Sequence, residues 1–342
     1  MKRLFFILFL LVLLVLSFFY KNLTQKHHVE VNVRVEKGLS TKEVLRFLEK
    51  KGILNSFYSS YIYLRLKGSN LKSGCYRFSG SYSDIDVIKI VAKGSSCPVS
   101  VAIPEGANVF KVALILDNAH LCRKEEFLKL AFDRDFIKSL GLNGFSLEGF
   151  LFPDTYLFDE GSSCERVVLE IVENFKRKVL PLFSSYKTDG YVRKALGKVD
   201  MVKILTVASI IERETSVKDE KPLVASVIYN RLIRGMPLQC DPTVYYAYYL
   251  ERRSKFSLHE GDTSISSPYN TYVNKGLPPG PICNPGLDSI LAAMYPAKTK
   301  FLYFVVRPDR RGHFFSKSYN EHLKFVKETF RIGEKKKEKV RN

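Results

Sequence analysis

After Met1-Lys2-Arg3 the chain runs through seventeen uncharged residues, Leu4 to Tyr20 (LFFILFLLVLLVLSFFY). A secretory signal has an apolar core of about 7–15 residues and ends at small residues. This run instead ends in Ser17-Phe18-Phe19-Tyr20-Lys21. Its length is at the short end of what crosses a bilayer, so residues 4–20 predict an uncleaved transmembrane helix, with a cleaved signal as the alternative. A short basic N-terminus ahead of a first span stays cytoplasmic. Residues 1–3 are then expected inside and everything beyond the span outside, although Lys21 and Lys26 also flank its far end.

Residues 21–28 are polar and predict a tether. Val29 to Val35 (VEVNVRV) alternates with the period of a half-buried strand. Ser40 with Glu43 fits a capping box and opens a helix carrying Val44, Leu45, Phe47 and Leu48 up to Lys51-Gly52. A second helix over Ser56 to Leu66, a strand at Gly74 to Phe78 and a third helix from Ser83-Asp84 to Val91 complete a small module over 29–98.

Val99 to Ile103 is a further strand, and helices are expected from about Val109 to Leu142. Leu147 to Tyr156 (LEGFLFPDTY) reads as irregular and aromatic-rich, and Cys164 to Tyr186 as an amphipathic helix. Asp200 to Thr215 is the most apolar helical stretch after the anchor. Lys221 to Arg234 follows and is stopped by Gly235-Met236-Pro237. Ser266 to Gly286 is rich in Pro, Gly and Asn, and a loop of that length inside a compact domain is usually functional. A strand at Phe301 to Arg307, a closing helix over Ser318 to Arg331 and a charged tail over 333–342 end the chain. The expected fold class is α+β: an anchor, a small module, and a mixed α+β domain over 99–332.

With 54 Lys and Arg against 35 Asp and Glu, the net charge of +19 predicts attraction to polyanions. Outside the cytoplasm nucleic acid is not the expected partner; anionic lipid and anionic wall polymers are. Tryptophan is absent, so aromatic platforms must be Tyr or Phe. Six cysteines, at 75, 97, 122, 164, 240 and 283, are an even number in an oxidising compartment. Their order offers Cys75–Cys97, Cys122–Cys164 and Cys240–Cys283, against the alternative of buried free thiols. None of them forms a C-x-x-C pair and the six His show no H-E-x-x-H spacing, so neither a structural zinc nor another metal is expected.

Candidate chemistry centres on Lys203 to Thr215 (KILTVASIIERET). At ~100° per residue Glu214 shares a face with Val207, Ile210 and Ile211, while Glu212 is turned by about 200° from it. A carboxyl held against apolar side chains has a raised pKa, which suits a general acid near neutral pH. The alternative is that Glu214 merely ends the helix in water or pairs with a cation; a carboxylate there opposes the helix dipole. Gln239, Asp241 and Thr243, then Tyr269, Asn270 and Tyr272, supply amides, hydroxyls and tyrosine faces on turns. Those groups fit a neutral, hydroxyl-rich ligand. No phosphate-binding or dinucleotide loop and no nucleophile elbow is present, and no cofactor is expected.

Several strings resemble one family. They are LEGFLFPDTY (147–156), ASIIERET (208–215), PLVASVIYNRL (222–232), GMPLQCDPTVYY (235–246), SPYNTYVNKGLPPGPICNPG (267–286), AAMYPAKTKFLYFV (292–305) and GHFFSKSYNEH (312–322). Together they resemble the endolytic murein transglycosylase family (MltG, YceG-like). The resemblance implies a LysM-like first module, a catalytic domain with a lysozyme-like active-site helix, and an inner-membrane enzyme facing the periplasm or outer face. It implies cleavage of MurNAc-β-1,4-GlcNAc bonds in nascent peptidoglycan strands, leaving 1,6-anhydro ends and ending strand elongation, with cell-wall synthases as partners. By the same likeness Glu214 is the catalytic acid, with Glu212 as the fallback. Gln239 binds substrate, and Asp241, Thr243, Tyr269, Asn270 and Tyr272 line the cleft. Cys240 departs from the small polar residue expected there, and the likeness leaves room for a Cys240–Cys283 disulfide between the two cleft loops. A muramidase-type hydrolase using the same Glu214, with Asp241 as its second carboxylate, and a non-catalytic wall-binding scaffold remain the alternatives.

Overall fold

The computed structural model describes residues 2–251, 257–259 and 261–341. Met1 and Asn342, the outermost residues of the expected cytoplasmic terminus and charged tail, lie outside the described residues. The chain divides into two compact units, Met1–Val99 and Ser100–Asn342.

The first unit starts with helix α1 (Lys2–Thr24), whose stretch Phe5–Thr24 is long and apolar enough to cross a membrane and is not buried by the rest of the chain. Strand β1 (His27–Val35), helices α2 (Thr41–Lys50) and α3 (Phe57–Lys67), strand β2 (Gly74–Tyr82) and helix α4 (Asp84–Lys93) follow. The strands pair antiparallel from His27 opposite Tyr82 to Val35 opposite Gly74. The stretch expected as a tether is largely regular. α1 runs to Thr24 and β1 begins at His27, and the Asn55 side chain donates to the carbonyls of Asn22 in the last turn of α1 and of Gln25 just after it.

Val29, Val33 and Val35 close on Leu45, Leu48, Phe57, Leu64, Phe78, Val87 and Val91 to form the core of this unit. The predicted capping box is present at Ser40 and Glu43, and a second one joins Ser83 to Asp86. Buried Asp84 accepts from the amides of Asn55 and Ser56 and from the Ser60 hydroxyl. A carboxylate at a helix N-terminus faces the positive end of its dipole, so Asp84 fixes where α3 starts. Cys75 and Cys97 form a disulfide.

Strand β3 (Pro98–Ile103) leads into the second unit. Helices α5 (Val109–Asn118), α6 (Lys124–Phe132) and α7 (Arg134–Ser139) precede β4 (Asp154–Asp159), which pairs with β3. Then come α8 (Cys164–Ser185), α9 (Gly190–Leu196), α10 (Met201–Glu214) and α11 (Lys221–Ile233). They are followed by α12 (Asp241–Leu250), α13 (Leu287–Met294), the antiparallel pair β5 (Tyr303–Val306) and β6 (His313–Ser316), and α14 (Tyr319–Arg341). The order is a mixed α+β arrangement, with a second disulfide at Cys122–Cys164.

Three differences from the sequence expectations have local causes. Residues 154–159 form β4 because Tyr156 and Phe158 point inward while Thr155, Leu157 and Asp159 point out. Asp241 and Thr243 lie in the first turn of α12 rather than on a turn, since Asp241-Pro242 is a good helix opening. Cys240 and Cys283 are buried free thiols, resting on the carbonyls of Leu238 and Ser209 respectively.

Helix α10 is the axis of this unit. Asp200 caps it by accepting from the Lys203 amide, and every residue from Ile204 to Ile211 is buried. It packs on α11, α12 and α13. Around it, Glu148 and Asn284 form a clasp. Glu148 takes the Val109 amide on both oxygens (3.1 and 3.0 Å) and the Asn284 Nδ2 at 3.1 Å. The Asn284 Oδ1 accepts from the amides of Gly149 (2.8 Å) and Leu151 (2.9 Å), and its Nδ2 also donates to the Ala107 carbonyl. Burial pushes the Glu148 carboxyl up to about 8, against the hydrogen bonds from Val109 and Tyr246. Gly149 has φ +86°, and a Cβ there would lie 2.6 Å from the Pro281 ring. The strings LEGFLFPDTY and ICNPG are therefore tied to each other by backbone geometry, which holds the long loop before α13 against α10.

Candidate active site

Glu214 is the last residue of α10, and the chain leaves the helix at Thr215 in an extended conformation. The break leaves the Glu214 side chain in a cleft of roughly 200 Å³ with Arg231, Leu238, Gln239, Cys240, Asp241, Tyr272 and Phe304. Burial pushes its carboxyl up to about 7, with the negative charge of Asp241 adding to the rise. The adjoining Cys240 thiol, and the Arg231 and Arg213 guanidinium groups, act in the opposite direction. It is thus a carboxyl poised to hold or lose a proton near neutral pH.

Glu212 sits in a different setting. Its side chain is 7% exposed and faces Lys221, itself 5% exposed, whose ammonium is 3.3 Å away. The same carboxylate accepts the Gly286 amide at 2.9 Å and the Ser289 hydroxyl at 2.7 Å. These partners occupy both oxygens of Glu212 and join α10 to α11 and α13. The more apolar surroundings expected for Glu214 do not distinguish the two acids, because α10 is enclosed on both faces. The two acids differ instead in their partners.

The rest of the cleft comes from two loops and a helix start. Gln239 has φ +51°, a backbone conformation that an L side chain adopts at a cost. Its amide donates to the Thr271 carbonyl, and the Cys240 amide to the Thr271 hydroxyl. Asp241 accepts the Tyr272 hydroxyl at 2.5 Å, so α12 and the 269–272 turn meet across the cleft. Gln239, Asp241 and Tyr272 therefore stand beside Glu214, as the sequence expected.

Thr243, Asn270 and Tyr269 lie behind this surface. The Thr243 hydroxyl donates to the Cys240 carbonyl and bonds the Thr271 hydroxyl. Fully buried Asn270 donates to the carbonyls of Thr263 and Ile265, and its Oδ1 accepts the Tyr272 amide. Tyr269 packs its ring on Tyr246, and burial pushes its phenol up to about 12. These three shape the loops that carry Gln239 and Tyr272.

Arg231 and Phe304 also line the cleft, beyond the residues expected from the sequence. Arg231 donates to the carbonyls of Leu302 (2.7 Å), Leu238 (2.7 Å) and Pro237 (3.4 Å), and its guanidinium lies 5.2 Å from the Tyr303 ring centre. It joins α11, the Gln239 loop and β5, and brings a cation near Glu214. Its signal in the sequence is that it is the one charged residue in the run PLVASVIYNRL. Phe304, on a short strand, had none.

A family model described as the YceG-like family matches residues 33–328. A protein of Bacillus subtilis (strain 168) named endolytic murein transglycosylase is 34% identical over 313 residues, covering 86% of this chain and 83% of the relative. One of the same name from Streptococcus pneumoniae serotype 2 is 30% identical over 332 residues, covering 87% of this chain; the match spans 58% of that longer relative. The crystal structure of a yceG-like protein from Listeria monocytogenes superposes with a TM-score of 0.59 at 31% identity, covering 86% of this chain and 98% of that one.

Proposed function

The chain belongs to the YceG-like family, and on that premise we propose that it is a membrane-anchored endolytic murein transglycosylase. It cuts MurNAc-β-1,4-GlcNAc bonds within nascent peptidoglycan strands. α1 spans the inner membrane with its N-terminus in the cytoplasm, the first unit acts as a LysM-like module, and the second works outside on the glycan. Ending a growing strand makes the synthase that extends it the natural partner.

The observation that carries this reading is the Glu214 carboxyl, its pKa pushed up to about 7, in a cleft it shares with the Gln239 amide, the Tyr272 hydroxyl and the Asp241 carboxyl. Protonated Glu214 gives its proton to the glycosidic oxygen as the C1–O4 bond breaks, and GlcNAc leaves with a free 4-hydroxyl. The MurNAc C6 hydroxyl attacks C1, and the Glu214 carboxylate takes the C6 proton. A 1,6-anhydro ring forms, no water is consumed and Glu214 ends as it began. Gln239, held at positive φ, and Tyr272 are suited to hydrogen-bond the sugar hydroxyls. α10 serves as the lysozyme-like helix that presents the acid.

Hydrolysis by the inverting or double-displacement route would need a second free carboxylate, and Asp241 is engaged by Tyr272. Mass spectrometry of uncrosslinked glycan strands digested by the full-length protein separates the readings. Anhydro-MurNAc ends are expected. Reducing ends would make the enzyme a hydrolase and Asp241 its second group, and intact strands would leave a wall-binding scaffold.

The proton on Glu214 must be present at the start of the cycle, so kcat/KM is expected to fall as pH rises through about 7. Asp241 raises that pKa by its charge. Asp241→Asn should therefore move the alkaline limb to lower pH, read from pH–rate profiles of the two proteins. A limb that stays or moves up would show that Asp241 does not act on Glu214.

A further inference from the structure

Helix α3 has two unlike faces. At ~100° per residue, Phe57, Ser60 and Leu64 fall together and are buried in the core of the first unit. Tyr58, Ile62 and Leu66 recur every fourth residue on another face and are 73%, 45% and 83% exposed. Arg65 borders this stripe on one side, its guanidinium 5.9 Å from the Tyr61 ring centre. On the other side buried Ser59 adjoins Leu66, with Tyr63 and Lys67 beyond it. Residues 50–83 contain six Lys and Arg and no carboxylate. Single exposed apolar side chains need no explanation, but three in register, on a segment whose own charges are all cationic while Glu49 and Asp84 are taken up by the N-terminal end of α3, are an organised surface.

Its place in the fold says what covers it. Asn55, the residue before the N-cap of α3, donates through Nδ2 to the Gln25 carbonyl at 3.0 Å and the Asn22 carbonyl at 3.5 Å, at the end of α1. α1 also packs against α3 and α4. The eleven residues of α3 span ~16 Å. The whole stripe therefore lies within about one helix length of the point where α1 ends. A bilayer has an interfacial layer of about 5–7 Å on each side of its hydrocarbon core. Helices that lie in it bury an apolar face flanked by Tyr, Lys and Arg.

We propose that α3 is a second membrane contact, with Tyr58, Ile62 and Leu66 set into the outer interface of an anionic bilayer and Arg65 and Lys67 on its head groups. The inference rests on α1 being the transmembrane anchor. One spanning helix and one interfacial helix together hold the first unit against the membrane, where a single span alone would leave it free to swing.

The absence of tryptophan provides the test. Full-length Leu66→Trp, and separately full-length Leu13→Trp in the middle of α1, are placed in phosphatidylglycerol–phosphatidylcholine vesicles with and without lipids brominated on the acyl chain. Both indoles are expected to emit at shorter wavelength than in water and to be quenched by brominated lipid, Leu66→Trp most by shallow bromines and Leu13→Trp most by deep ones. Quenching of Leu13→Trp alone overturns the α3 contact and leaves the anchor standing. A blue-shifted but unquenched Leu66→Trp means the stripe is covered by protein, a second copy included, and also overturns it. No quenching of Leu13→Trp removes the anchor and this inference with it.

Discussion

Replacing Glu214 with Gln is expected to lower the rate of anhydro-MurNAc release by about 10³-fold, within the range that positioned acid–base groups contribute. The amide keeps the size of the carboxyl but carries no acidic proton to give. The glycosidic oxygen then leaves unprotonated and the C6 hydroxyl keeps its proton, so both halves of the cycle fail together. An interaction needed only in the transition state should lower kcat and kcat/KM alike, with KM little changed. Folding should not suffer, because the substitution removes a carboxyl whose ionisation burial already opposes. Product mass spectrometry over time, alongside thermal melting, reads both. A rate within a few-fold of wild type, with melting unchanged, would remove Glu214 as the acid.

How this acid is distinguished from its neighbour shows what the sequence could carry. Periodicity placed Glu214 and Glu212 on opposite sides of one helix, and both positions hold. Periodicity also delimited α2, α3, α8 and α10 to within a residue or two of their observed ends, since those helices are set by caps and apolar spacing local to them. It had no means of locating Lys221, Gly286 and Ser289 around Glu212, because they come from elements nine to seventy-seven residues away. The same limit explains Thr243 and Asn270. Both types suit a sugar site, and what turned them inward is their bonding to Thr271, Cys240, Thr263 and Ile265 in neighbouring loops. The cysteines divide in the same way. Two sequential pairs formed, while Cys240 and Cys283 were drawn to separate backbone carbonyls.

Lys221→Met is expected to destabilise the second unit by about 3–5 kcal/mol, the cost of leaving a buried charge without its partner. Glu212 and Lys221 are both almost fully enclosed, so water cannot replace what is lost. In a unit of this size each kcal/mol shifts Tm by about 2–4 °C, so a fall of roughly 10 °C should be seen. Glu212→Gln strands the ammonium instead and should cost a similar amount, although its amide oxygen can still accept from Gly286 and Ser289. The double substitution should cost less than the sum of the two, because neither charge then remains unpaired. Glycan cleavage per folded molecule should persist in Lys221→Met, since no atom of this pair lines the Glu214 cleft. Melting and cleavage measured on one set of proteins thus assign the two acids opposite signatures: loss of rate without loss of fold at Glu214, and loss of fold without loss of rate at Glu212. If Lys221→Met melted within a degree of wild type, the ion pair would not be the fastening between α10 and α11. If Glu212→Gln instead lost cleavage while fully folded, the acid would have to be moved to Glu212.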